Sequence, residues 1–111
     1  MQHRDKTILT KIINEIDIAL DMINGTEFSA FDENEVLKRA ICMTVINIGE
    51  LVKALTTELR AEHKNIAWKS IAGFRDIAAH KYQTLHMQDV YFTVVNDFPQ
   101  LKKDIEQILS C

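Results

Sequence analysis

Apolar residues recur at helical spacing along nearly the whole chain. From about Asp5 to Asn24, Ile8, Ile12, Ile16, Ala19 and Ile23 repeat every three or four positions, and Leu9, Ile13 and Leu20 widen the stripe. That is the pattern of an amphipathic helix with one buried face. Asn24-Gly25 predicts its end, because glycine adopts the left-handed conformation that closes a helix. Residues 26–31 read as a loop. Asp32-Glu33-Asn34-Glu35 then has the form of a capping box, with Phe31 and Val36 spaced for a hydrophobic staple. A second helix is expected from there to about Leu59, carrying Leu37, Ala40, Ile41, Val45, Ile48, Val52, Leu55 and Leu59. Met43, Ile46 and Leu51 extend its apolar surface around the cylinder, enough for its own bundle and a second subunit, unless one bundle covers it all.

After a polar connector, Arg60 to Asn65, comes the stretch Ile71-Ala72-Gly73-Phe74-Arg75-Asp76-Ile77-Ala78-Ala79-His80-Lys81-Tyr82. As a helix it sets Trp68, Ile71, Phe74, Ala78 and Tyr82 on one side, facing a core, and Gly73, Asp76 and His80 on the other. Gln83 to His86 reads as a connection. The last helix begins near Met87, with Tyr91, Val94, Val95, Phe98, Leu101, Ile105 and Ile108 as its stripe. Pro99 interrupts it, and Asp97 with Gln100 offers another capping box, so a kink or restart is expected there. The elements add up to an all-α fold, a four- to five-helix up-and-down bundle in one domain, residues 1–111.

Composition narrows the picture further. Three glycines and one proline among 111 residues leave few turns, and 47% hydrophobic with 26% charged residues is an ordinary globular balance. A net charge of −3 argues against coating nucleic acid electrostatically, so any RNA contact must be local. Cys42 and Cys111 form neither a disulfide framework nor a zinc site, and no Cys/His set has metal-ligand spacing. With no signal peptide and no apolar stretch long enough to span a bilayer, the expectation is a cytoplasmic protein without cofactor or metal and without membrane contact.

The candidate chemistry lies in the central stretch. Asp76 and His80 are four apart, so the carboxylate is expected to accept the imidazole N–H and fix its tautomer, freeing the other nitrogen for proton transfer. Gly73, on the same stripe, leaves room for a backbone or a phosphate. Arg75 falls roughly 140° from His80 on a regular helix, so a shared site needs a long swing of its stem, a loosened helix or a second subunit. The set suits phosphodiester chemistry: His80 moves a proton, Arg75 holds charge on phosphorus and Asp76 orients. Against this, a lone helix histidine is more often a surface or satisfied core residue, an Arg–Asp neighbour pair a solvated ion pair, and a terminal tyrosine simple packing.

Arg75-x4-His80-x-Tyr82 resembles the Arg-x4-His-x-Tyr signature of the HepT-like toxins, a branch of the HEPN superfamily. Trp68-Lys-Ser-Ile-Ala-Gly-Phe-Arg is similar to that family's Trp-x-x-Ile-x-Gly-Met-Arg, Ile48-Gly49-Glu50 to its Ile-Gly-Glu, and Asp97-Phe98-Pro99-Gln100-Leu101-Lys102 to its Asp-Leu-Pro-x-Leu-Lys. Phe74 stands where methionine is frequent and Lys81 where glycine is frequent, which adds positive charge beside His80.

The resemblance implies a HEPN-like bundle, expected as a homodimer or a higher oligomer. It also implies a metal-independent endoribonuclease, the toxin of a type II toxin–antitoxin pair, with Arg75 and His80 catalytic and Asp76 supporting. A minimal nucleotidyltransferase (MntA-like) antitoxin would attach AMP to Tyr82 and silence it. Since base and acid must act on opposite sides of phosphorus, one histidine cannot easily serve both, and a two-fold dimer would supply the second. Two other classes stand beside this one: a non-catalytic nucleotide-binding or docking subunit of a minimal nucleotidyltransferase, and a purely structural dimerisation module. A nucleotidyltransferase gene beside this one would separate them.

Overall fold

The apolar stripes become the buried faces of long antiparallel rods. The computed structural model describes residues 1–110, and Cys111 lies outside the described residues. In chain order the elements are α1 (His3–Ile23), α2 (Phe28–Glu33), α3 (Glu35–Ala54), α4 (Thr57–Glu62), α5 (Trp68–His80), a 3₁₀ turn (Tyr82–Thr84), α6 (Met87–Phe92), a π-helical turn (Thr93–Asp97) and α7 (Phe98–Ser110). There is no strand among the described residues. α3 is the central rod, packed between α1 and α5, while α7 lies along α1.

Ile8, Leu9, Ile12, Ile16, Ala19 and Ile23 of α1 are all buried, as the spacing predicts. Across from them lie Ile41, Val45, Ile48 and Val52 of α3 and Val94, Leu101, Ile105 and Ile108 of the last rod. Such burial is the main stabilising contribution, about 1.5–3 kcal/mol for each fully buried large side chain. Gly25 closes the first hairpin at φ +73°, the left-handed geometry read from Asn24-Gly25.

Three local features differ from the sequence pattern, each for a physical reason. Residues 28–33 form α2 instead of a loop, because Phe28 and Phe31 pack on Tyr91 at ring separations of 5.6 and 5.5 Å and on each other at 6.4 Å. The Tyr91 hydroxyl fastens this corner by donating to the Thr26 carbonyl at 2.6 Å. The cap of α3 is therefore Asn34, whose side chain accepts the Leu37 N–H at 3.0 Å, not Asp32. Phe31 is fully buried but Val36 is 79% exposed, so the staple between them does not form.

α3 also stops at Ala54, short of Leu59. The cause is Asp5 on α1, buried to 2% exposure, which accepts the Thr56 N–H at 2.9 Å and the Thr56 hydroxyl at 2.6 Å. Thr56 in turn caps α4 by accepting the Leu59 N–H at 3.2 Å. Near Pro99 there is neither a capping box nor a restart: helical backbone runs through Phe92 and Phe98, and the chain widens into the π-helical turn just before the proline. A proline cannot donate to the preceding turn and its ring crowds that carbonyl, and the wider turn absorbs both. Gln100 bonds to Asp104 instead of to Asp97.

No helix among the described residues is long and apolar enough to cross a membrane. Cys42 is buried, and that burial pushes its thiol up to about 11. Replacing Asp5 by alanine strands both Thr56 donors and is expected to cost about 2–3 kcal/mol, read as a lowered urea midpoint with unchanged slope.

Candidate active site

α5 is the helix that the central stretch predicts, and its apolar side faces inward. Trp68 and Ala78 are buried, and Ile71 and Phe74 pack against the core. The Trp68 indole N–H donates to the His63 carbonyl at 3.0 Å and so fixes the start of the helix. Its end falls at His80. The backbone turns at Lys81, and Tyr82 opens the 3₁₀ turn instead of completing the helix. Tyr82 still packs against the core through its ring.

The α3–α5 contact positions Arg75. A Cβ on Gly49 would overlap Cβ of Arg75 and lie 3.4 Å from its Cα, so the two helices meet through the missing side chain. Arg75 is thereby laid across α3, where Nε pairs with Glu50. Its Nη1 donates to Asp76 Oδ1 at 3.0 Å, and Lys53 Nζ reaches the same oxygen at 2.7 Å. Glu50, Arg75, Asp76 and Lys53 thus form a charge ladder between the helices. Lys53 first and Arg75 second hold the Asp76 carboxyl below its usual range.

This arrangement corrects the expected Asp76–His80 pair. The carboxylate is drawn toward α3 by two cations, and neither of its hydrogen bonds goes to the imidazole. Gly73 has no atom within 4 Å of where its Cβ would be. Within the chain the close approach is at Gly49, and the space over Gly73 is open.

His80 is exposed and shares a concavity of about 610 Å³ with Ala79, Lys81, Tyr82, Gln83 and Thr84. The Tyr82 hydroxyl donates to Glu35 Oε2 at 2.6 Å, and the Arg39 guanidinium lies 5.1 Å from the ring centroid. Burial, and then Glu35, push the phenol up to about 12. A separate cavity of about 330 Å³ lies on the reverse side of α5, lined by Ile71, Phe74 and Asn96 among others, but by none of Arg75, His80 and Tyr82. Among the described residues no three His, Cys, Asp or Glu side chains are grouped to hold a metal ion.

The fold therefore brings His80 and Tyr82 to one concavity and holds Arg75 against α3 instead. The five-residue step from Arg75 to His80 is about 7.5 Å along the axis and one full turn plus about 140° around it. Exposed apolar side chains flank both. Val36 and Met43, 79% and 56% exposed, sit at successive heptad positions on the Glu50 stripe of α3, and Ile77 on α5 is 49% exposed. Sequence reasoning missed Glu35, Arg39 and Lys53, and gave Gly49 and Glu50 no role in the site. One signal was available: a glycine inside a long helix costs about 1 kcal/mol, which points to a close approach.

The model of the family described as HepT-like, ribonuclease HepT-like, matches residues 12–108. The chain is 34% identical over 102 residues to "Putative RNase TTE0752" of Caldanaerobacter subterraneus subsp. tengcongensis, covering 92% of this chain and 91% of that protein. It is 30% identical over 111 residues to "Putative RNase MJ1216" of Methanocaldococcus jannaschii, covering 99% and 92%. It is 25% identical over 108 residues to "Probable ribonuclease HepT" of Thermococcus cleftensis, covering 97% and 98%. No solved structure matches the chain. This chain belongs to the HepT-like ribonuclease family.

Gly49→Ala tests the positioning of Arg75. The added methyl meets the root of the Arg75 side chain, which cannot swing clear, so α5 must move off α3. A loss of about 1–3 kcal/mol in urea unfolding is expected, and an unchanged midpoint would contradict the close approach.

Proposed function

We propose that this chain is a metal-independent endoribonuclease, the toxin of a type II toxin–antitoxin pair acting in the cytoplasm. Membership of the HepT-like ribonuclease family supports the activity. The observation that carries the mechanism is that Arg75 lies against α3 while His80 stands free at the end of α5, so one protomer does not assemble both over one phosphate. A symmetric homodimer that covers Val36, Met43 and Ile77 brings two copies of each residue to one groove. It also buries apolar surface that is otherwise left in water.

In that groove, His80 of one protomer takes the proton of a ribose 2′-hydroxyl as the oxygen attacks the adjacent phosphorus. The partner's His80 gives a proton to the departing 5′-oxygen. The O–P bond to the 5′-oxygen breaks as the 2′ bond forms, leaving a cyclic phosphate. Arg75 stabilises charge that develops on the non-bridging oxygens. Asp76 and Glu50 orient the guanidinium rather than the imidazole. A single-stranded RNA suits the site, because in-line attack requires a backbone that can be splayed.

Control falls to Tyr82, two residues beyond His80 and in the same concavity. A minimal nucleotidyltransferase antitoxin transfers AMP to its hydroxyl. The added phosphate places negative charge beside the histidine and repels the RNA backbone. A second reading, a non-catalytic nucleotide-binding or docking subunit, has one observation in its favour: two carboxylates already occupy Arg75.

Cleavage of single-stranded RNA separates the two readings. His80→Ala and Arg75→Ala should each lower the rate at least about 100-fold with helical content unchanged by circular dichroism, and cleavage should persist in EDTA. Wild-type protein that cleaves no RNA would favour the docking reading. Loss of activity on chelation would overturn the metal-free chemistry.

A further inference from the structure

The Tyr82 hydroxyl already points its proton at a base. Glu35, the first residue of α3, accepts that hydroxyl at 2.6 Å through Oε2, although the two residues are 47 apart in the chain. Arg39 Nε holds the same oxygen at 2.9 Å, Lys38 Nζ lies 3.8 Å from Oε1, and the Arg39 guanidinium covers the ring. The hydroxyl is thus held by the first turns of α3, with its remaining lone pairs turned away from Glu35. That is the arrangement a phenol needs to attack an electrophile, because the proton leaves on the side opposite the forming bond.

Resting on the reading of Tyr82 as the AMP acceptor, we propose that Glu35 is the general base of that transfer, so that the toxin supplies part of the chemistry of its own silencing. Tyr82 Oη attacks the α-phosphorus of ATP. As the Oη–P bond forms, the bond from the α-phosphorus to the bridging oxygen breaks, and pyrophosphate leaves with the electron pair. The phenolic proton passes to Glu35 Oε2 and on to solvent.

The charges around the pair agree with this division of work. A phenol pushed up to about 12 does not ionise by itself near neutral pH, so it needs an acceptor. Glu35 is held below its usual range, first by the Tyr82 hydroxyl and then by Arg39, and remains a carboxylate ready to accept. The titratable and charged groups facing the two are Arg39, Lys38 and the buried Cys42, all on α3. Glu35 lies outside the Arg75 ladder, so its removal leaves the α3–α5 ion pairs in place.

The test follows AMP transfer to the full chain by a minimal nucleotidyltransferase with ATP, read as the mass of the Tyr82 peptide, for wild type, Glu35→Gln, Glu35→Asp and Tyr82→Phe. Wild type should be modified at a rate nearly constant between about pH 6 and pH 9. Glu35→Gln should be slower by about 100-fold or more near neutrality and should climb about tenfold per pH unit, as hydroxide replaces the missing base. Glu35→Asp should fall between them, and Tyr82→Phe should take up no AMP. Glu35→Gln modified at the wild-type rate with a flat profile would overturn the role of Glu35 while leaving Tyr82 as the acceptor. No AMP on wild-type Tyr82, or equal uptake by Tyr82→Phe, would overturn the acceptor reading and this role with it. Ultraviolet titration checks the pair independently of the transferase: burial and Glu35 push the Tyr82 phenol up to about 12, and in Glu35→Gln it should ionise lower than in the wild type. An unmoved titration would contradict the hydrogen bond itself.

Discussion

The close approach of α5 to α3 at Gly49 governs the rest of the site. Without a side chain there, the Arg75 stem lies flat on α3 and its guanidinium reaches Glu50, while the backbone delivers Asp76 to Lys53. Exposed ion pairs contribute little individually. This ladder matters because it fixes direction: Arg75 is held on α3, and His80, less than two turns later, is left at the helix end facing solvent. The same antiparallel packing brings Glu35, at the start of α3, to Tyr82, just beyond the end of α5.

Two consequences for chemistry follow from that geometry. A monomer presents half of an acid–base pair and an arginine engaged elsewhere, so the proposed ribonuclease is best understood as a property of an assembly. The tyrosine proposed to control it is held by a carboxylate and an arginine that have no part in RNA cleavage. On the proposed reading, catalysis and its control could therefore be altered separately, even though His80 and Tyr82 share one concavity. With a net charge of −3, the RNA contact of the proposed ribonuclease would have to be local, around His80 and Lys81.

Much of this was legible in the chain, and what escaped has a common cause. Periodicity reads one face of a helix against water, which is enough to find α1, α3, α5 and the last rod and to place Trp68 and Ala78 inward. It cannot see contacts between residues far apart in sequence. The break at Thr56 depends on Asp5, the Tyr82 clamp on Glu35, and the loss of the Asp76–His80 pair on Lys53. In each case the deciding partner lies more than 20 residues away in the chain, where neither periodicity nor a spacing of four can reach it. The π-helical turn before Pro99 is a milder instance: the proline marks the disturbance, but packing of the last rod on α1 keeps the helix continuous.

The account stands or falls on whether two chains share one active site. Mixing wild-type protein with His80→Ala protein, unfolded together and refolded to scramble the subunits, measures this directly as RNA cleavage against the fraction of wild-type chains. If both copies of His80 serve the same phosphate, only dimers with two wild-type chains cleave, and an equal mixture retains about one quarter of the activity of an all-wild-type sample at the same total concentration. An equal mixture that retains about one half, falling in proportion to the wild-type fraction, would show independent sites and contradict the composite groove.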